Sequence, residues 1–415
     1  MKNKIRKTKL FKTSMFLISL LLILVTYFSC NMYKIISHEG KVDEYLPETF
    51  RMETPLIVDH KGYFCITAQV NSSYNMEFII DTKATCLAKK DDIEKLNANY
   101  YGKFPIALEN AYGQKQKLAL YSFDKFEIQS LTFNEPLFYC VPKTNYLYDM
   151  MYKNVLGINI LKHLFWKFSM DDNKVILFSS KDTILQKKET EGFIKIENGL
   201  RQNNIMLSLP NLEKQKNFTL DLGFLGEISI DKKCFEQLSK QLPYQRILTA
   251  RASTIDTTYV FEKTEIKLDN ISIPNCQIVY IPKMNKNLIG AKFMYRFNFI
   301  LGYDYYTSKI SHDDLYLKPI ESFYDFKSTP YVSNFGFSID KKENNIIILN
   351  MEIGSIAEQV NLKIGDKVLC VDSIDFRIGN EISNKDLLLY VSDKKHIIMN
   401  VERDGKELFL RLEKD

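Results

Sequence analysis

The chain repeats itself, and the repeat limits the folds open to it. Met76–Leu87 reads MEFIIDTKATCL, in which the apolar strand Phe78-Ile79-Ile80 delivers Asp81 and Thr82 into a turn. Asn217–Ile230 reads NFTLDLGFLGEISI and does the same, with Phe218-Thr219-Leu220 running into Asp221, Leu222 and Gly223. Further matches follow in step. Asn154-Val155-Leu156-Gly157-Ile158-Asn159-Ile160 parallels Asn287-Leu288-Ile289-Gly290-Ala291-Lys292-Phe293. Phe165–Asp171 and Val175–Phe178 parallel Phe297–Asp304 and Leu315–Lys318. The aspartates are 140 residues apart and the glycines 133. Two copies of one β-rich unit of about 130 residues account for both offsets.

The remaining pattern fits a mainly β chain. Tyr63–Val70, a turn at Ser72-Ser73-Tyr74-Asn75 and Met76–Ile80 read as a hairpin. Asp91–Asn97 predicts a short helix, and Lys181–Glu191 a charged linker. In the second unit, strands are expected at Ile205–Leu209, Tyr259–Phe261, Glu265–Leu268 and Gln277–Ile281. A third region begins near Thr329-Pro330. It holds Phe335-Gly336-Phe337, a helix candidate at Asn384–Val391 and a last hairpin turning at Asp404-Gly405. The expected division is 1–30 signal peptide or membrane anchor, 31–54 irregular polar tether, 55–180 first unit, 190–320 second unit and 329–415 third region.

Charge narrows the function classes. The net charge is +5, but Lys2, Lys4, Arg6, Lys7, Lys9 and Lys12 supply six positive charges ahead of the first apolar run. Without them the balance is −1, so no basic footprint for nucleic acid remains. A basic stretch before Met15–Phe28, MFLISLLLILVTYF, predicts an export signal. The run is short of the about 20 apolar residues of a comfortable span. Ser29-Cys30 resembles the end of a bacterial lipoprotein signal, with Cys30 as the lipidated residue; an uncleaved anchor is the alternative. Both place the rest of the chain outside the cytoplasm, tethered to the membrane on the periplasmic or extracellular side.

Other chemistries lack their residues. Cys65, Cys86, Cys140, Cys234, Cys276 and Cys370 form no CxxC pair and sit mostly in apolar runs, which predicts buried thiols. The histidines, His38, His60, His163, His312 and His396, are scattered, and no HExxH, GxSxG, GxGxxG or P-loop occurs. No metal or organic cofactor is expected. What remains is the repeated carboxylate. Asp81 alone reads more readily as a solvated turn residue than as a catalytic one. Two such carboxylates facing each other share one proton and hold a water, because like charges in contact push the two pKa values apart.

Residues 55–319 resemble a two-lobed aspartic peptidase of the retropepsin/pepsin type. Each lobe of that family carries Asp-Thr-Gly and, later, two hydrophobic residues and a glycine. The matching residues here are Asp81-Thr82-Lys83 with Val155-Leu156-Gly157, and Asp221-Leu222-Gly223 with Leu288-Ile289-Gly290. The resemblance implies two pseudo-symmetric β-barrel lobes, Asp81 and Asp221 as the catalytic pair, support from Thr82 and Gly223, and Tyr112 as a flap tyrosine. An exposed turn is the alternative for Tyr112. Residues 329–415 resemble a PDZ domain. Phe335-Gly336-Phe337 matches its carboxylate-binding loop, and GSIAEQVNLKIGDKVLCVDS its most recognisable segment. That resemblance implies that a peptide tail adds beside the strand starting at Phe337, with Asn384–Val391 as the other wall.

Two departures matter. Lys83 replaces the family glycine, and an ammonium beside Asp81 is expected to lower its pKa. It either pins Asp81 as an anion and abolishes activity, or points outward and shifts the pH optimum. Leu222 replaces the second threonine, so only Thr82 can interlock the lobes. The function expected is a monomeric, membrane-tethered aspartic endopeptidase acting on peptide or protein, with substrate recruited by the PDZ domain. The rival is a catalytically inactive peptide-binding scaffold.

Overall fold

The structure is a computed structural model describing residues 33–103, 108–109, 113, 115–145, 148, 151–251, 254–304, 312–326, 330–342, 345–377 and 384–414. It is mainly β. The elements that position the site are, in the first half, β1 (Arg51–Pro55), β2 (Phe64–Val70), β3 (Tyr74–Ile80), β4 (Leu87–Lys89), β5 (Leu137–Val141), β6 (Asn154–Leu156), α1 (Ile158–Leu161), β7 (Leu164–Ser169) and β8 (Lys174–Ser179). In the second half they are β9 (Ile205–Ser208), β10 (Lys216–Leu220), β11 (Ile228–Ile230), β12 (Tyr244–Arg251), β13 (Thr254–Phe261), β14 (Ile278–Tyr280), β15 (Leu288–Ile289), α2 (Ala291–Met294), β16 (Phe297–Asp304) and β17 (His312–Pro319).

Strand pairing repeats as the sequence does. β2 and β3 form an antiparallel hairpin, and β3 runs parallel to β6 with Ile80 opposite Leu156. β4 lies antiparallel to β6 and parallel to β5. In the second half β9 and β10 form the hairpin, and β10 runs parallel to β15 with Leu220 opposite Ile289. β11 lies antiparallel to β15 and parallel to β14. Strands buried on both faces need apolar runs. Phe78-Ile79-Ile80 and Phe218-Thr219-Leu220 supply them, and all six residues are buried.

The halves join through their closing hairpins. β7–β8 and β16–β17 lie in one six-stranded sheet, with β7 antiparallel to β16. Trp166 faces Leu301 and Phe168 faces Phe299, so the 133-residue offset exchanges the two pairs. The register is therefore that of a two-fold repeat. Phe168 and Phe299 stack at 4.3 Å, and one hydrophobic core runs through both halves. Each fully buried large side chain there contributes about 1.5–3 kcal/mol.

Two expectations are corrected. The described part of residues 31–54 is not an irregular tether. Val42 and Leu46 pack into the core, and Arg51–Pro55 pairs with β8 in full register. Its few apolar residues are spaced to face inward, which its polar composition masks. The charged linker after β8 is partly helical, over Thr183–Glu189. Asp182 caps it by accepting from Ile184 N and Leu185 N, and buried Glu189 binds Arg51 and Lys167.

The third region has its own hydrophobic cluster. It contains β18 (Phe337–Lys342), β19 (Asn345–Glu352), α3 (Ile356–Gln359), β20 (Lys367–Val371), α4 (Asn384–Ser392), β21 (His396–Arg403) and β22 (Lys406–Glu413). It is not a separate sheet. β19 pairs with β12 of the second half, Ile247 opposite Glu352 and Thr249 opposite Asn350. Among the described residues no helix is long and apolar enough to cross a membrane. Met15–Phe28 and Cys30 lie outside the described residues.

Candidate active site

Both aspartates arrive by the same backbone route. Asp81 N donates to Leu156 O at 3.0 Å, and Asp221 N donates to Ile289 O at 2.8 Å. The partner strand thus fixes the end of β3 and of β10. The glycine after each partner strand lies under the following turn. A Cβ on Gly157 would come 2.4 Å from Ala84 O, and one on Gly290 would come 2.4 Å from Phe224 O. Ile158 N and Ala291 N donate to those same two carbonyls, each at 2.8 Å. The glycines let strand and turn close on each other without a side chain between them.

The turns then aim the carboxylates. Asp81 Oδ1 accepts from Lys83 N at 2.8 Å and Ala84 N at 2.9 Å. Asp221 Oδ1 accepts from Gly223 N at 3.0 Å. The two turns meet at Gly223, where a Cβ would lie 2.1 Å from Asp81 Oδ2 and 3.2 Å from Asp221 Oδ1. Both carboxylates therefore flank one point, which only a glycine leaves open. Thr82 locks this contact. Its hydroxyl donates to Leu220 O at 3.1 Å and accepts from Leu222 N at 3.2 Å. Leu222 itself is buried in the core, so the reciprocal bridge is absent, as the sequence implies.

Lys83 behaves differently from one of the two expectations. Its Nζ donates to Leu200 O at 2.8 Å in a part-buried position, although the residue as a whole stays open to solvent. Neither Lys83 nor Gly223 has a positive φ, so the turn tolerates a lysine, and glycine is required at 223 by proximity alone. The Lys83 charge does not lower the Asp81 carboxyl below its ordinary range. Burial raises its pKa, and the amides of Lys83 and Ala84 and the Lys83 charge offset only part of the rise. Burial and the charge of Asp81 push Asp221 up to about 7, against the Gly223 amide, Lys83 and Lys286. Burial in turn lowers the pKa of Lys83, opposed by Asp221, Asp81 and Asp313. Desolvation outweighs the ion-pair effect across the whole group.

Tyrosines that the sequence did not single out stand in the field of this pair. Burial raises the Tyr63 phenol, and the charges of Asp81, Asp59 and Asp221 add to it. The Tyr303 hydroxyl is buried with no hydrogen-bond partner among the described residues. Burial raises its pKa too, with help from Asp313 and Asp81. Tyr63 opens the first predicted strand and Tyr303 lies in the repeated segment Phe297–Asp304, but neither pattern marks a tyrosine for the site. Tyr112 lies outside the described residues.

The Phe335–Phe337 loop is formed but already filled. Phe335 N and Phe337 N both donate to Ser333 Oγ at 3.3 Å, and Gly336 N donates to Ser333 O at 2.8 Å. Beyond it, Ile339 N donates to Asn384 Oδ1 at 3.0 Å. Cys65, Cys86, Cys140, Cys234, Cys276 and Cys370 are free thiols. Among the described residues no group of three or more His, Cys, Asp or Glu is arranged to hold a metal ion.

No protein-family model matches the chain, and no curated protein matches it. Among solved structures it is similar to a retropepsin-like aspartic protease from Rickettsia conorii, at 22% identity over 32% of this chain and 93% of that one, with a TM-score of 0.24. It is also similar to the HtrA-type protease AlgW. The form with a substitution, AlgWS227A with decapeptide, gives 10% identity over 72% of this chain and 83% of that one, TM-score 0.18. AlgW with tripeptide gives 11% identity over 60% and 91%, TM-score 0.18. These neighbours are proteases.

Proposed function

We propose that the chain is an aspartic endopeptidase, with Asp81 and Asp221 as one acid–base pair at the junction of two acid-protease-like lobes, 55–180 and 190–320. The observation that carries this reading is the convergence of both carboxylates on Gly223, each held by the same turn and each with a raised pKa. A pair that holds one proton at mildly acidic pH is equipped for water activation.

The chemistry follows from the asymmetry of the pair. Asp81 Oδ1 accepts two amides and Asp221 Oδ1 one, so the anion belongs on Asp81 and the shared proton on Asp221. Asp81 takes a proton from water as its oxygen attacks the peptide carbonyl. Asp221 gives its proton to the carbonyl oxygen, forming a tetrahedral diol. Asp81 then passes its proton to the leaving nitrogen as the C–N bond breaks, and Asp221 recovers one from the diol. Residues 329–415 act as a PDZ domain that binds peptide tails. Residues 1–30 tether the enzyme outside the cytoplasm, a reading that rests on the basic stretch and the apolar run.

The test incubates the protein with a pool of unstructured peptides from pH 3 to 7, read by mass spectrometry, beside Asp81→Asn and Asp221→Asn. Cleavage abolished by both substitutions is the expected result. No cleavage by folded protein at any pH transfers the assignment to a peptide-binding scaffold.

A further inference from the structure

The three amides of the Phe335–Phe337 loop all point at one residue. Ser333 offers them two acceptor oxygens, Oγ and O, as a terminal carboxylate does. Its own N–H donates to Phe337 O at 2.8 Å, as the last residue of an added strand does. Ser333 is 6% exposed, so this occupancy is desolvated. Lys414 Nζ lies 4.6 Å from the centre of the Phe335 ring and adds a positive charge beside the loop.

The residue before it reaches the other site. Val332 is buried in a cluster with Ile247 of β12, Val260 of β13 and Leu288 of β15, and Phe224 packs against that cluster. Phe224 belongs to the turn that holds Asp221, and its N–H donates to Asp221 O at 3.1 Å. The sheet adds a second link, through β12 against β19 and Ile353 N to Arg246 O at 2.9 Å. A shift of the Ser333 backbone therefore bears directly on the packing of Val332.

We propose that Ser333 closes the loop in cis, and that a peptide carboxylate which displaces it withdraws Val332 from the Phe224 cluster and loosens the Asp221 turn. The carboxyl pair is assembled while Ser333 is in place, so the self-closed form is the working one and a bound tail is an inhibitor. The inhibitory part rests on the peptidase reading, and the displacement rests on the reading of residues 329–415 as a binder of peptide tails, which the parent's own affinity for the free acid tests separately.

The experiment uses the full chain and a fluorescent decapeptide with an apolar last residue, as free acid and as C-terminal amide. Ser333→Ala is expected to bind the free acid about tenfold more tightly than the parent, about 1.4 kcal/mol. Ser333→Thr, which keeps a hydroxyl, is expected to match the parent, and the amide to bind neither. Saturation with the free acid is expected to speed hydrogen exchange at the Gly223 and Phe224 amides about tenfold and to slow peptide cleavage. Val332→Ala is expected to bind normally and to lose the exchange response. Equal affinity of Ser333→Ala and parent, or no binding by either, overturns the cis occupancy. Unchanged exchange at Gly223 and Phe224 overturns the coupling. Absence of cleavage, or cleavage that survives Asp81→Asn, overturns the peptidase reading alone, since affinity and exchange are read without turnover.

Discussion

Gly223 owes its identity to Asp81: the Cβ it lacks would stand 2.1 Å from Asp81 Oδ2 and 2.6 Å from Asp81 Cγ. The backbone of one repeat is thus the contact surface for the acid of the other. Gly223→Ala must push the carboxylates apart. Cleavage is expected to fall at least about a hundredfold, the order of loss that follows a displacement of about 1 Å at a reacting centre. Stability is expected to fall by about 1–3 kcal/mol from overpacking. Steady-state kinetics and denaturant melts check the two effects separately.

Lys83→Gly removes a cation that lowers the pKa of both Asp81 and Asp221. The pair then keeps its proton to higher pH. The alkaline limb of the pH–rate profile is expected to move up, with activity retained. A profile that moves down, or a variant active where the parent is inert, contradicts this account of Lys83.

Asp221 makes stability depend on pH. Its folded pKa is raised from 3.8 to about 7, so its proton is held more firmly in the folded state. The resulting stability is fully present below about pH 4 and is lost as pH rises through about 7. Asp221→Asn is expected to melt like the parent at pH 4 and to be more stable at pH 8, by up to about 4 kcal/mol. Urea titrations at the two pH values measure the difference.

Thr82 makes two bonds across the repeats, to Leu220 O and from Leu222 N. Thr82→Val keeps the shape and leaves a buried N–H unmatched. A loss of about 1–3 kcal/mol is expected. Peptide cleavage is expected to fall with it, because Leu222 sits between Asp221 and Gly223. A variant of unchanged stability and activity shows that the bridge is dispensable.

Arg296 and Glu227 form a fully buried ion pair at 2.9 Å, and Glu227 O accepts from Gly290 N beneath the site. Arg296→Met alone strands a buried carboxylate and is expected to cost about 3–5 kcal/mol. Adding Glu227→Gln is expected to recover much of that loss. Thermal melts of the single and double variants test it.

Much of this was legible in the linear chain. Apolar triplets ending in aspartate, and the paired glycines at 157 and 290, fixed where each acid sits, because a buried strand needs an unbroken apolar run and a close turn needs a missing side chain. The threonine bridge was legible only through the resemblance, from Thr82 present and Leu222 in the other place. The long hairpin β12–β13 was not; only its Tyr259–Phe261 end reads as strand. Its rim residues are polar, and its pairing with β19 lies about a hundred residues downstream, beyond any local pattern. Residues 31–54 misled because a few buried side chains decide the path of a polar stretch.

The sequence by itself determined the repeat and the two carboxylates at strand ends, since these depend on local periodicity and on spacing. Only the tertiary structure decided the electrostatics and the connections. Whether Lys83 pins Asp81 depends on burial against distance, and burial wins. Whether the Phe335–Phe337 loop is open depends on Ser333, two to four residues earlier, whose oxygens meet those amides only in the turn that the packed loop adopts. Desolvation and long-range contact are properties of the packed molecule, and no residue carries them alone.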